Sequence, residues 1–261
     1  MTAGKKMAGK ASRVRLFVDA PYAAGAELKL PTAQSHYLGA VMRLTTGDGL
    51  AIFNGCDGEW RAVITAMRRG VCRLAPEQQI RRQQAPTGPW LLFAPIKSAR
   101  GELLIEKACE MGVSELWPVT TQFSQGKRIK LERYRARAIE AAEQCGRLEV
   151  PRIRPFSALA DVLRAWPADR RILFCDETGG PPALETLEAL AAEPPGLWAI
   201  LIGPEGGFSP AERADLGSRS STVAISLGPR VLRAETAAVA ALGLWQAVLG
   251  DLRQADSDPT S

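Results

Sequence analysis

The residues best equipped for chemistry lie in two stretches of the C-terminal third, LWAILIGPEGGF (residues 197–208) and SLGPRVLRAET (residues 226–236). In the second, Arg230 and Arg233 follow a Gly-Pro turn, and Glu235 stands at the start of an apolar run that reads as a helix. Two arginines and a carboxylate beside such a turn make an edge suited to recognising an anion or a base. In the first, an apolar strand runs into Gly203-Pro204-Glu205-Gly206-Gly207, where missing side chains let a ligand approach backbone N–H and C=O groups. Each pattern also has a plainer reading, a tight turn in one case and ordinary charge at a helix start in the other. The glycine loop fits neither the dinucleotide nor the triphosphate fingerprint.

Other side chains carry weaker signals. Glu106 and Glu110 share a helix face beside Lys107, Lys97 precedes them, and residues 143–147 (EQCGR) close a charged helix with hydrogen-bonding groups and a glycine. Lys127, Arg128, Lys130, Arg133, Arg135 and Arg137 form a basic run that reads as a solvated helix face or as an edge facing a polyanion. The five cysteines form no C-x-x-C pair and His36 is the single histidine, which argues against a zinc site, a disulfide framework or a Ser-His enzyme. Reduced, mostly buried thiols are the expectation, with no metal.

The elements that must position these groups fall into two patterns. Residues 13–84 hold short alternating apolar runs (13–19, 50–54, 59–65, 71–74) punctuated by glycine turns, with a short helix over 34–43; this predicts a small β-barrel. QQAPTGP (residues 83–89) marks a boundary. Beyond it, strands at 90–95, 116–119, 171–175, 197–202 and 222–226 alternate with helices at 99–111, 131–145, 184–192, 210–216 and 234–249. That alternation predicts an α/β domain over 85–253 with a largely parallel sheet. Ser209-Pro210-Ala211-Glu212 reads as an N-cap, a first-turn proline and a capping box. Residues 1–12 read as a disordered leader and 254–261 as a disordered tail.

Charge divides along the same line. Residues 1–85 carry 13 Lys and Arg against 6 Asp and Glu, whereas residues 86–261 carry 20 against 22. A positive module beside a near-neutral one suggests that the first binds a polyanion such as RNA. Leaving out residues 1–13 reduces the balance of the module to 9 against 6. No apolar run approaches bilayer length, and no apolar segment follows the basic start, so a cytoplasmic location is expected.

Taken together, RLFV (residues 15–18), HYLGAVMRL (36–44), EKACEMGV (106–113), AAEQCGR (141–147), LIGPEGGFSPAE (201–212) and SLGPRVLRAETA (226–237) make the chain resemble the ribosomal RNA small-subunit methyltransferase E family of the SPOUT superfamily. The resemblance covers nearly the whole chain; Met42, Met111 and Val231 are mild departures. It implies an α/β fold in two parts, an N-terminal PUA-like β-barrel for RNA and a C-terminal α/β domain with a SPOUT-type trefoil knot. It also implies a homodimer and methylation of N3 of a uridine in small-subunit (16S) ribosomal RNA, free or in an assembled 30S particle. S-adenosyl-L-methionine would be held by Phe174, Leu201, Gly203, Pro204, Glu205, Gly206, Gly207, Leu227, Gly228, Val231 and Leu232. Arg233 and Glu235 would be catalytic, and Arg13, Arg15, His36, Arg43, Lys97 and Arg147 would hold RNA. Three other readings compete: a related knotted methyltransferase acting on another RNA or base atom, a non-catalytic RNA-binding assembly factor, and a nicotinamide-dependent enzyme, against which the missing phosphate-binding glycine fingerprint argues.

Overall fold

The alternating apolar and polar residues of the first third do form strands that bury one face. The computed structural model describes residues 11–96, 98–124 and 130–253; Lys97, Lys127, Arg128, the start before Ala11 and the tail after Arg253 lie outside them. The chain divides into two units, the first made of Met1–Pro86 with Ala142–Val150, the second of Thr87–Ala141 with Pro151–Ser261.

In the first unit, β1 (Ala11–Phe17) pairs in parallel with β3 (Gly49–Phe53), and β4 (Glu59–Arg68) and β5 (Val71–Arg81) follow as an antiparallel hairpin. The two-residue β2 (Leu28–Lys29) joins β5, giving the order β1-β3-β4-β5-β2. Inward residues such as Leu16, Leu50, Ile52, Ile64 and Leu74 form the core with Leu30 and Leu38. The expected helix over 34–43 begins two residues earlier and is two-part: α1 (Thr32–His36) passes into a single π-turn over Tyr37–Val41. Buried Ser35 explains part of this geometry, because its hydroxyl donates to Leu30 O and accepts from Cys72 N–H, tying α1 to β5.

The second unit holds β6 (Trp90–Phe93), α2 (Ser98–Glu110), β7 (Glu115–Thr120), α3 (Leu131–Cys145), β8 (Arg152–Ile153), β9 (Ser157–Ala158) and α4 (Leu159–Arg164). Then come β10 (Arg170–Cys175), α5 (Ala183–Leu190), β11 (Leu197–Ile202), α6 (Pro210–Gly217), β12 (Thr222–Ile225) and α7 (Ala234–Leu249). The last residues of α3, from Ala142 on, count with the first unit. All pairings are parallel, in the order β12-β10-β11-β6-β7-β8, with β9 beside β7. Strands covered on both faces need continuous apolar runs, and β10 and β11 supply them: Ile172, Phe174, Ala199 and Leu201 belong to one core with Phe208 and Leu216. Among the described residues no helix is long and apolar enough to cross a membrane, and no group of His, Cys, Asp or Glu could hold a metal ion.

Candidate functional site

Because β12, β10 and β11 are parallel neighbours, their C-terminal ends share one edge of the sheet, where α/β folds bind ligands. Three loops leave that edge: residues 176–182 after β10, 203–209 after β11 and 226–233 after β12. The two chemically promising stretches of the sequence are thereby brought to one place.

The glycine loop is shaped from beneath and from the side. Gly207 has φ +68, and its N–H donates to Pro204 O at 2.9 Å. A Cβ on Gly207 would lie 1.9 Å from Glu177 Oε1, so the carboxylate of the β10 loop sits where a side chain would be. That same oxygen accepts from Phe208 N–H (3.3 Å) and from Arg213 of α6 (2.5 Å). A Cβ on Gly203 would meet the Phe208 ring at 2.5 Å, and this ring stands edge-on to Phe174 with centroids 4.9 Å apart. Phe174 and Leu201 are buried, so their side chains support the loops from below and do not line an open surface.

The exit of the loop is fixed by the expected cap. Ser209 is the N-cap of α6, with Pro210 behind it and a reciprocal box with Glu212. The second oxygen of Glu212 accepts from Gln122 N–H at 2.8 Å, so the loop after β7 is held by the same residue. On that side Phe123 lies 3.1 Å from a Cβ placed on Gly206.

The loop after β12 is pinned by Ser226, whose N–H donates to Pro181 O and whose O accepts from Ala183 N–H. Gly228, at φ +102, leaves open space around its Cα. Leu227 and Leu232 are half-buried, and Val231 is 87 % exposed. Arg233 is exposed at the N-cap position of α7 and accepts through its carbonyl from Ala237 N–H. Glu235, in the first turn of α7, has a side chain only 14 % exposed. Burial pushes the thiol of Cys175, at the end of β10, up to about 12, away from the range of a reactive thiolate.

The residues expected to hold RNA are less uniform. His36 and Arg43 are exposed in the first unit, Arg43 with φ 55. Arg15 is spent inside it: Nε donates to Glu59 (2.5 Å), Nη1 to Ala142 O and Glu143 O, and Nη2 to Arg147 O. Those last three bonds cap the end of α3, where a cation meets unsatisfied carbonyls. Arg147 bonds Glu149 and is 12 % exposed. Arg13 lies in β1, and Lys97 falls outside the described residues. In the basic run, Arg133 and Arg137 face Glu102, Glu106 and Glu140, as a solvated helix face would.

Two participants had no signal in the sequence, Arg213 and Arg100, whereas Glu177 closes the strand end 174–177 expected to line a third side of the site. Arg100 of α2 donates to Glu205 at 3.1 Å and lies 3.6 Å from Glu235. These pairs span more than a hundred positions, and no local spacing encodes them.

Known proteins resemble this arrangement throughout. A family model described as an RNA methyltransferase domain matches residues 83–246, and one described as an RNA methyltransferase PUA domain matches residues 30–74. The ribosomal RNA small subunit methyltransferase E of Rickettsia conorii is 31% identical over 229 residues, covering 87% of this chain and 93% of that protein. A methyltransferase of Legionella pneumophila, solved with bound S-adenosylmethionine, superposes with a TM-score of 0.77 at 28% identity, covering 91% of this chain and 98% of that one. The fold is also that of a ribosomal RNA small subunit methyltransferase E from Neisseria gonorrhoeae (TM-score 0.80, 23% identity, 92% and 99% covered).

Proposed function

This chain belongs to the ribosomal RNA small subunit methyltransferase E family, and from that premise we propose that it methylates N3 of a uridine in small-subunit (16S) ribosomal RNA, using S-adenosyl-L-methionine. The observation that carries the reading is the convergence of the Gly203–Gly207 and Leu227–Arg233 segments at one edge of the parallel sheet. The residues fit such a cofactor: a glycine closely approached by Phe123 at Gly206, open space at Gly228, and half-buried or exposed apolar side chains at Leu227, Val231 and Leu232. Gly203, Pro204, Glu205, Gly206, Gly207, Leu227, Gly228, Val231 and Leu232 would hold it, over a floor supplied by Phe174 and Leu201.

The cofactor supplies an electrophilic methyl group, which a ring nitrogen accepts by in-line displacement, so positioning contributes most of the rate. N3 of uridine must lose its proton as the new N–C bond forms. Glu235 accepts that proton, and Arg233 stabilises the negative charge spreading to O2 or O4 of the base. RNA is captured by the first unit, through Arg43 and His36 at its surface. We read the active form as a cytoplasmic homodimer, with the first unit a PUA-like barrel and the second a SPOUT-type trefoil knot, acting on free rRNA or on the 30S particle.

Calorimetric titration and methyl transfer, run on the same variants, test the reading. Arg233→Ala should bind S-adenosylmethionine as the parent does while losing roughly 100-fold or more in turnover, the scale expected for one lost charge-stabilising group. Gly206→Trp, with Phe123 3.1 Å from the first atom added, should fold and fail to bind. Parental turnover by Arg233→Ala would remove Arg233 from the mechanism, and parental cofactor affinity in Gly206→Trp would remove the loop.

A further inference from the structure

We infer that Arg100 is a positioning residue for methyl transfer: oriented by Glu205, it holds the carboxylate of Glu235 at the reacting edge. The inference rests on the reading of Glu235 as proton acceptor.

Three elements meet at this guanidinium. Arg100 stands in the first turn of α2, Glu205 lies within the glycine loop, and Glu235 is in the first turn of α7. Nη1 of Arg100 donates to Glu205 Oε1 at 3.1 Å, while Nε lies 3.6 Å from Glu235 Oε1. The start of α2 packs closely at its next residue. A Cβ on Gly101 would meet the Tyr134 hydroxyl at 2.6 Å, so only glycine lets the two approach so closely.

The two carboxylates differ in what else holds them. Glu205 is 55 % exposed, and an ion pair so open to water contributes little stability. The loop that carries it is fixed without Arg100, by the Gly207–Pro204 turn, the Glu177 bond to Phe208 N–H and the packing of Phe208 under Gly203. Glu235 is 14 % exposed, and Arg100 is the one cation within ion-pair distance of it among the described residues. Direction follows from this contrast. Glu205 fixes one end of the planar guanidinium fork, and the other end sets the rotamer and charge environment of Glu235. A proton acceptor displaced by about 1 Å loses much of its effect on rate, so the loss should fall on kcat, with cofactor binding spared.

The test uses the full-length protein, tritiated S-adenosylmethionine and small ribosomal subunits lacking the methyl group, with thermal midpoints recorded for every variant. Arg100→Met should lower kcat by about tenfold or more and leave the S-adenosylmethionine Kd within about threefold of the parent, the limit for an exposed pair. Arg100→Lys keeps the charge without the fork and should recover part of that loss. Glu205→Gln, whose role at the cofactor shows separately as a change in Kd, should lower kcat at saturating S-adenosylmethionine in the parent and by a smaller factor in the Arg100→Met background, because the two residues share one contact. Glu235→Gln runs in parallel. Parental kcat in Arg100→Met beside a crippled Glu235→Gln overturns the relay alone; parental kcat in Glu235→Gln overturns the reading of Glu235 and the relay with it. A fall in kcat, cofactor affinity and thermal midpoint together in Arg100→Met, with no rescue by lysine, overturns the relay in favour of a purely structural role.

Discussion

Glu59 shows how a single residue can settle what its neighbours do. Its side chain is 6 % exposed, and Arg15 and Arg81 both donate to it, at 2.5 and 2.7 Å. Burial pushes the carboxyl up, but the hydrogen bonds from Arg81 and Arg15 and their charges outweigh it, so the group lies below its ordinary value. The remaining donors of the two arginines go to Ala142 O, Glu143 O, Gly146 O and Arg147 O, at and just past the end of α3. Removing the charge leaves the half-buried Arg15 short of its partner, while water screens the more exposed Arg81, so the cost is about 1–3 kcal/mol. Glu59→Gln should therefore unfold at lower urea than the parent at pH 7. A depressed carboxyl contributes stability above the unfolded-state value near 4.3 and loses it as pH falls through the folded value. The gap between parent and variant should thus close in acid; a gap that persists unchanged at pH 3 would contradict the charge-based account. Nothing in the spacing of Arg15, Glu59 and Arg81 announces this trio, and for that reason Arg15 reads from sequence as a phosphate ligand.

Elements were legible where a local signal fixes them. The capping box at Ser209, the apolar runs of β10 and β11, and the bounds of α3 and α7 stand where periodicity and cap chemistry put them. Missing from the sequence reading were β2, β8 and β9, two residues each, and α4, six residues. Segments so short have no period; the three strands exist because a neighbouring strand offers its edge. The order β12-β10-β11-β6-β7-β8 is equally silent, being set by which apolar faces cover one another. The box at α6 matters because it ends the glycine loop and anchors Gln122 at once. Ser209→Ala should cost about 1 kcal/mol, while Ser209→Gly should cost only a few tenths, since glycine tolerates the cap position. In a melting experiment the alanine variant should fall by about 2–4 °C, as expected for 1 kcal/mol in a chain of this size. Equal losses in both variants would mean that packing of this buried side chain, not capping, decides where α6 begins.

Across the whole molecule, the charge asymmetry becomes informative once paired and unpaired cations are told apart. In the first unit Arg15 and Arg81 face Glu59, Arg61 faces Glu77 and Arg73 faces Glu27. Lys29, Arg43, Arg68 and Arg69 form no ion pair among the described residues, and Arg68 and Arg69 sit at the β4–β5 turn. Arg43 and Arg69 hold φ of 55 and 50, conformations that cost a non-glycine residue about 1–2 kcal/mol each. Strain of this kind persists where the surrounding structure enforces it, often at binding surfaces. Bulk charge therefore overstates the number of arginines available to RNA, and exposure corrects it. Binding to a small-subunit rRNA fragment, followed by anisotropy across a potassium chloride series, should weaken linearly on a log–log scale. Each phosphate contact contributes a slope of about 0.7–0.9. Arg43→Ala should reduce the slope by about that amount and leave the melting temperature alone, whereas Arg15→Ala should leave the slope alone and lower the melting temperature. If the two variants exchange these signatures, the cation buried on Glu59 is the one that meets RNA, and the first unit must open its Arg15–Glu59 pair to bind.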